Sequence, residues 1–330
     1  MIYNTFGIPA TADRFIELHT LDDLRQLLDS KLLQQHPFFV IGGGSNVVFT
    51  RHFPGTVIHP ANRGIALVDG PSADGSLLVE AAAGEEWDAF VRHCIAQGWH
   101  GAENLVAIPG TVGASPVQNV GAYGLEAKDI IHTVRAFNVS TGEERIFTNG
   151  ECRFGYRSSI FKTDLKDQYI VWSVTFRLYK SFQPCLQYQA LTSALQRQGI
   201  ENPTPQQLAD TIASVRWSKL PRPEETGSAG SFFKNPVVSR QHYDQLIARY
   251  PDMVAYPVPE GYKLAAGWLI EHAGWKGRNM GRCGVYDKQA LVLVNRGGCS
   301  GAEVLALADA VTSDVQRLFG VTLEKEAIII

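Results

Sequence analysis

Surplus positive charge is the first thing this chain lacks. Over 330 residues, 30 Lys and Arg stand against 33 Asp and Glu, a formal net charge of -3, and no Lys/Arg block of the kind that tracks a phosphate backbone occurs. Bulk nucleic-acid binding is therefore excluded as a function class, and any positive charge must act locally. No run of about 18 apolar residues exists to span a bilayer. The opening stretch MIYNTFGIPATADRF shows no basic segment followed by an apolar one, so a cytoplasmic location with no membrane partner is expected. Five cysteines (Cys94, Cys152, Cys185, Cys283, Cys299) are odd in number and widely spread, without a C-x-x-C pair. That pattern argues against a disulfide framework or a zinc site and predicts buried, reduced thiols. Nine histidines form no i,i+4 pair on a predicted helix, and no metal is expected. No serine has glycine at both -2 and +2, which removes the serine-hydrolase elbow.

What is present describes an ordinary soluble protein of two or three domains, with 45% hydrophobic and 19% charged residues. Leu21, Leu24, Leu27 and Leu28 share one helical face behind a Thr20/Asp23 capping box. Trp87, Phe90, Val91, Cys94 and Ile95 mark a second helix that ends at Gly98, where a left-handed cap belongs. The segment TVRAFNVSTGEERIF predicts a hairpin around Thr141-Gly142, and YIVWSVTFRLY alternates Ile170, Trp172, Val174, Phe176 and Leu178 on one face. From about Ser181 to Glu225 the composition shifts toward Gln and Pro, which reads as a crossover between domains. Beyond it helices are predicted at about Ser239 to Tyr250, Lys263 to His272 and Gly301 to Phe319, the last capped by Ser300 and Glu303, with ALVLVN as a buried strand.

Three glycine-rich stretches carry the functional signal. In IGGGSNVVFT, Ile41 to Thr50, glycines follow a strand and would let backbone N–H groups approach a diphosphate. Val47 takes the place of the third glycine of G-x-G-x-x-G, and a β-branched run follows rather than a helix, which disfavours a Rossmann site. A plain hairpin turn is the alternative. In IPGTVGASPVQNVGAYG, Ile108 to Gly124, seventeen residues poor in large side chains cannot form a core but can line a flat cofactor; a long Ω-type loop is the alternative. In FGYRSSIFK, Arg157 lies between a tyrosine and two serines, and its planar fork matches a carboxylate if it faces a site. A fourth stretch, GSAGSFFKNP, holds Ser231 in a glycine-rich turn with no histidine, cysteine or acid nearby.

The order and spacing of these stretches, from YNTFG at Tyr3 to LEKE ending at Glu326, resemble the UDP-N-acetylenolpyruvoylglucosamine reductases, or UDP-N-acetylmuramate dehydrogenases, over nearly the whole chain. The resemblance implies an α+β protein: an FAD-binding fold of the vanillyl-alcohol-oxidase type, made of two α/β lobes, plus a C-terminal α+β substrate-binding domain. Residues 1–65, joined by 321–330, would form the first lobe and 66–180 the second. Residues 181–225 would be the crossover and 226–320 the substrate domain. A monomer is expected. Where relatives with covalent flavin carry a histidine, Ser45 and Asn46 stand here, so the FAD is expected to be non-covalent. By resemblance Gly42, Gly43, Gly44, Ser45 and Asn46 take its pyrophosphate, while Ile108, Gly110, Ser115, Asn119, Gly121 and Tyr123 line the flavin. LQYQAL resembles the tyrosine-bearing loop of the longer subtype and makes Tyr188 a clamp on the UDP diphosphate. Tyr156, Lys219, Asn235, Lys276 and Gln289 match substrate-binding positions.

The implied reaction belongs to peptidoglycan precursor synthesis. NADPH reduces the flavin, which passes hydride to C3 of an enolpyruvyl sugar, the two substrates using one site in turn. An enol ether accepts hydride only if its carboxylate takes up charge as an enediolate, which requires donors aimed at the carboxylate oxygens. Arg157 and Glu326 hold the matching catalytic positions, and Ser231 holds the position that donates a proton to C2. The family usually carries valine and arginine after the glutamate, whereas Ala327 and Ile328 follow here. Glu324, two residues earlier, is the competing carboxylate. A flavin oxidase of the same fold acting on another carbohydrate, and a flavin-free nucleotide-sugar-binding protein, are the alternatives.

Overall fold

The computed structural model describes residues 3–330. The chain divides into two compact units, one of residues 12–43 and 53–216, the other of residues 1–11, 44–52 and 217–330.

The unit of residues 12–43 and 53–216 contains two sheets. In the first, Phe53–Pro60 lies between Ala12–Leu18 and Phe38–Val40, all parallel. The helix Leu21–Asp29 buries Leu24, Leu27 and Leu28 in a cluster with Leu18 and Ile58, and its Thr20/Asp23 capping box is formed as expected. The second sheet is antiparallel, in the order Glu144–Thr148, Ile131–Asn138, Tyr169–Tyr179, Ser76–Ala82, Ile65–Asp69. Tyr169–Tyr179 is its central strand. The alternating set Ile170 to Leu178 is buried, and on the other face Val171 and Ser173 are buried too, while Arg177 and Tyr179 are exposed. The helix Trp87–Ala96 packs there, with the Phe90 ring 4.6 Å and the Trp87 ring 5.8 Å from that of Phe176. The Gln/Pro-rich stretch holds two helices, Gln189–Arg197 and Pro205–Lys219. An ion pair from Arg92 to Asp210 ties the second of these to Trp87–Ala96.

The other unit is built on a four-stranded antiparallel sheet, in the order Ser228–Ser231, Val292–Asn295, Cys283–Val285, Asn279–Met280. The helix Gly301–Phe319 closes its core with Val304, Ala308, Val311 and Val315, behind the expected Ser300/Glu303 box. The helix expected from Lys263 begins only at Ala266. Lys263 and Leu264 belong to the strand Gly261–Leu264, because Val237 and Ala255 pair with them and Leu264 N–H goes to the Pro236 carbonyl at 2.8 Å. The expectation of reduced thiols is also corrected: Cys283 and Cys299 form a disulfide. Sixteen residues separate them in sequence, but their Cα atoms lie 5.7 Å apart, within bridging range. Cys94 and Cys152 are buried and free, and Cys185 is free and half-buried.

The hairpin alternative for Ile41 to Thr50 fails on strand pairing. Phe38–Val40 pairs with Phe53–Pro60, whereas Val47–Val48 pairs in parallel with Ile328–Ile329, so the glycines join two different sheets. Among the described residues no helix is long and apolar enough to cross a membrane, and no cluster of His, Cys, Asp and Glu could hold a metal ion.

Candidate active site

In the unit of residues 12–43 and 53–216, Gly43 packs against the second glycine-rich loop: a Cβ there would lie 3.1 Å from the Gly110 Cα. That loop is anchored from beneath. Asp88 accepts from Arg92 and from the amide of Ala107, and Trp87 N–H reaches the Gly110 carbonyl. Ile108 is buried, and the Ser115 hydroxyl donates to the Val112 carbonyl at 2.7 Å. Asn119 is wholly buried. Its Nδ2 donates to Glu126 and to the Gly155 carbonyl, and its Oδ1 accepts from Lys128 N–H, so it fastens the loop bearing Gly121 to the loop bearing Arg157.

Arg157 stands at the third position of a tight turn closed by reciprocal bonds between Gly155 and Ser158, and its φ is +53°. Glycine or asparagine is favoured at such a position. A non-glycine residue held there costs on the order of 1–3 kcal/mol, a cost characteristic of functional turns. The guanidinium is aimed by its donations to the Gly121 carbonyl at 2.9 Å and the Asn119 carbonyl at 3.4 Å, and it lies 5.4 Å from the centre of the exposed Tyr156 ring. Tyr123 meets Tyr188 edge to face, with centroids 5.2 Å apart. Burial raises the Tyr123 phenol above its ordinary pKa. The buried Asn104 donates from one amide to both the Tyr123 and Cys185 carbonyls, each at 2.9 Å, which brackets the Tyr188 segment to the Gly121–Gly124 loop.

In the other unit, Gly44 has φ +63°, and a Cβ there would collide with the Tyr3 carbonyl oxygen at 2.6 Å and the Asn4 Cα at 2.8 Å. The amides of Gly42, Gly43 and Gly44 donate no hydrogen bond among the described residues. Consecutive backbone donors cleared of side chains fit a diphosphate. Ser231 ends the strand Ser228–Ser231, is exposed, and its hydroxyl has no partner among the described residues. The next residue, Phe232, accepts the Glu326 amide at 2.8 Å through its carbonyl. The segments bearing Ser231 and Glu326, 95 residues apart in sequence, are thus joined by a backbone bond.

Where the family usually carries arginine, the backbone around Glu326 is tied to Asn46. Asn46 Nδ2 donates to the Glu326 carbonyl at 3.2 Å, and the Asn46 carbonyl accepts from Ile328 N–H at 2.9 Å. Glu324, the competing carboxylate, is exposed and ion-paired with Lys234. Among the expected substrate residues, Asn235 Oδ1 accepts from Ala266 N–H and Gln289 Oε1 from Leu291 N–H. Lys276 pairs with Glu271 at 2.8 Å, and Lys219 is exposed at the end of its helix. Sequence reasoning passed over Arg216 and Asn104. Arg216 stands three residues before Lys219 in RWSKLP, but nothing in the local pattern showed that its Nε is buried.

Residues 12–148 match the family described as FAD binding domain, and residues 222–330 match the family described as UDP-N-acetylenolpyruvoylglucosamine reductase, C-terminal domain. A UDP-N-acetylenolpyruvoylglucosamine reductase of Bdellovibrio bacteriovorus is 45% identical over 325 residues, covering 98% of this chain and 96% of the relative. That of Chromobacterium violaceum is 47% identical over 330 residues, covering 99% and 96%. The structure of UDP-N-acetylenolpyruvylglucosamine reductase from Thermus caldophilus shares the fold, with a TM-score of 0.66 at 23% identity over 99% of this chain and 95% of that one. At this identity over nearly full length, the chain belongs to the UDP-N-acetylenolpyruvoylglucosamine reductase family.

Proposed function

We infer that this chain is an NADPH-dependent UDP-N-acetylmuramate dehydrogenase, reducing UDP-N-acetylglucosamine enolpyruvate to UDP-N-acetylmuramate in peptidoglycan precursor synthesis. The observation that supports the residue assignment is the backbone bond from Glu326 N–H to the Phe232 carbonyl, which joins the segment bearing Glu326 to the segment bearing Ser231, whose hydroxyl has no partner among the described residues. Bound FAD would supply the hydride-transfer chemistry that links NADPH to C3 of the enolpyruvyl group. Gly42, Gly43, Gly44, Ser45 and Asn46 would hold its pyrophosphate, and the loop through Ile108, Gly110, Ser115, Asn119, Gly121 and Tyr123 would shape the flavin site. With Ser45 and Asn46 in place of a histidine, the attachment is non-covalent.

Arg157, pre-aimed by two carbonyls, takes the enolpyruvyl carboxylate and favours the charge that builds on its oxygens as C3 is reduced. Glu326 shares that carboxylate as a protonated acid or through water, since an ionised carboxylate would oppose the developing charge. Ser231 Oγ–H donates to C2, general-acid help worth roughly 10²- to 10⁴-fold. Tyr188 clamps the UDP diphosphate in the manner of the longer subtype, supported by its contact with Tyr123, and Tyr156, Lys219, Asn235, Lys276 and Gln289 complete the nucleotide-sugar site. Residues 1–65 with 321–330, and 66–180, serve the flavin; 181–225 carries the tyrosine loop and 226–320 the sugar nucleotide. The enzyme acts as a cytoplasmic monomer, and NADPH and the sugar nucleotide use one site in turn.

A stopped-flow experiment with NADPH first and the enolpyruvyl sugar second tests this reading. Ser231→Ala should bleach the flavin at the wild-type rate and be re-oxidised by the sugar at least 100-fold more slowly. Re-oxidation at the wild-type rate would take the serine out of the mechanism.

A further inference from the structure

Arg216 has no assigned role, and its setting is one that a purely structural arginine would not choose. It lies in the last turn of the helix Pro205–Lys219, which the Arg92–Asp210 pair fastens to the helix Trp87–Ala96. Its Nε is buried without a hydrogen-bond partner, and among the described residues no carboxylate forms an ion pair with it. A buried polar group left unpaired is destabilising, and a guanidinium is the side chain least able to relieve this by losing its proton. Its electrostatic neighbours are Tyr123, Arg157 and Asp88. Each of these belongs to the loops already described: Tyr123 to the second glycine-rich loop, Arg157 to the carboxylate turn, and Asp88 to the anchor beneath Ala107. Burial pulls the Arg216 pKa below the ordinary guanidinium value, and Arg157 adds to that effect while Tyr123 and Asp88 oppose it. A buried guanidinium donor without a hydrogen-bond partner, such as the Arg216 Nε, is available to receive an anion from a ligand.

We propose that Arg216 is a second charge-receiving residue of the active site, holding a planar, delocalised anion that exists only in the loaded enzyme. Two groups share that chemistry: the pyrimidine edge of the reduced flavin and the carboxylate of the sugar substrate. The proposal rests on the flavin reading above, and the test separates the two. Wild-type protein that takes up no FAD would defeat the flavin reading itself; wild-type protein that does so provides the reference for the variants.

Arg216→Gln and Arg216→Lys are compared as holoenzymes by flavin midpoint potential and by affinity for UDP-N-acetylmuramate, which carries the carboxylate, and UDP-N-acetylglucosamine, which lacks it. If the flavin is the source, the glutamine variant stabilises reduced flavin at least tenfold less well. Its two-electron potential then falls by about 30 mV or more, and lysine restores part of the loss. If the substrate carboxylate is the source, the potential stays put and the glutamine variant loses at least tenfold in affinity for UDP-N-acetylmuramate, with UDP-N-acetylglucosamine unaffected. A glutamine variant that cannot retain FAD beside a lysine variant that can also supports a need for the cation. The proposal is overturned if neither the potential nor the differential affinity moves, if lysine is no better than glutamine, or if both variants lose the flavin alike.

Discussion

Gly44→Ala isolates the backbone requirement of the first glycine-rich loop. At φ +63° an L-residue with a Cβ costs roughly 1–2 kcal/mol, and here the added carbon would also sit 2.6 Å from the Tyr3 carbonyl oxygen and 2.8 Å from the Asn4 Cα. The first distance falls about 0.8 Å short of ordinary contact. Both obstacles are backbone atoms, so no side-chain rotation relieves them, and the Thr5 N–H bond to the Gly44 carbonyl at 3.1 Å ties the same segment down. In the unliganded protein the loop can relax by moving its amides, whereas binding a pyrophosphate requires them back in place. The strain should therefore appear as weaker cofactor affinity, with 1–2 kcal/mol corresponding to a Kd for FAD raised roughly 5- to 30-fold. Fluorescence quenching of FAD on titration with apoprotein measures this. Gly150→Ala is the control, since an added Cβ there meets nothing within 4 Å and its φ is not left-handed. Equal FAD affinity for Gly44→Ala and wild type would refute the claim that this loop presents its backbone to the cofactor.

Tyr188→Ala should raise KM for the enolpyruvyl sugar roughly 10- to 150-fold, the range for a lost hydrogen bond to a charged group; an unaltered KM would remove Tyr188 from the diphosphate site. The disulfide predicts three reactive thiols in unfolded, non-reduced protein, from Cys94, Cys152 and Cys185, and five after reduction; five from the outset would contradict the Cys283–Cys299 bond. Arg282, and then Ser300, hold the Glu303 carboxyl at about 2 against an ordinary 4.5. With a depressed folded pKa, its support of the helix Gly301–Phe319 is complete above pH 4.5 and is lost as the pH falls toward 2. Thermal melts across that window should show a shallower decline for Glu303→Gln than for wild type, and parallel curves would exclude the link.

Local chemistry was legible in the sequence wherever a short pattern has one physical solution. Thr20 with Asp23 and Ser300 with Glu303 specify helix starts through neighbouring backbone donors, and the alternation through Ile170 and Leu178 specifies a strand because side chains in extended chain change face at each step. Such signals act over a few residues and survive into the fold. The helix expected from Lys263 failed because strand partners at Val237 and Ala255, remote in sequence, took those residues into the sheet. The disulfide was hidden for the same reason: spacing says nothing about which strand meets which helix end.

For the site, residue types and order suggested Arg157, Ser231 and Glu326, but tertiary structure decided how two of them are presented and what supports them. It joined the segments bearing Ser231 and Glu326 through a backbone bond and tied the Glu326 main chain to Asn46. It also spent the Glu324 carboxylate on Lys234 and left the Nε of Arg216 buried without a partner. Hydrogen bonding between segments tens to hundreds of residues apart depends on which chains lie adjacent in space, and that adjacency comes from packing of the whole core. The sequence by itself determined the chemical repertoire and the local elements; which groups are exposed, paired or stranded was settled only when the distant segments closed on one another.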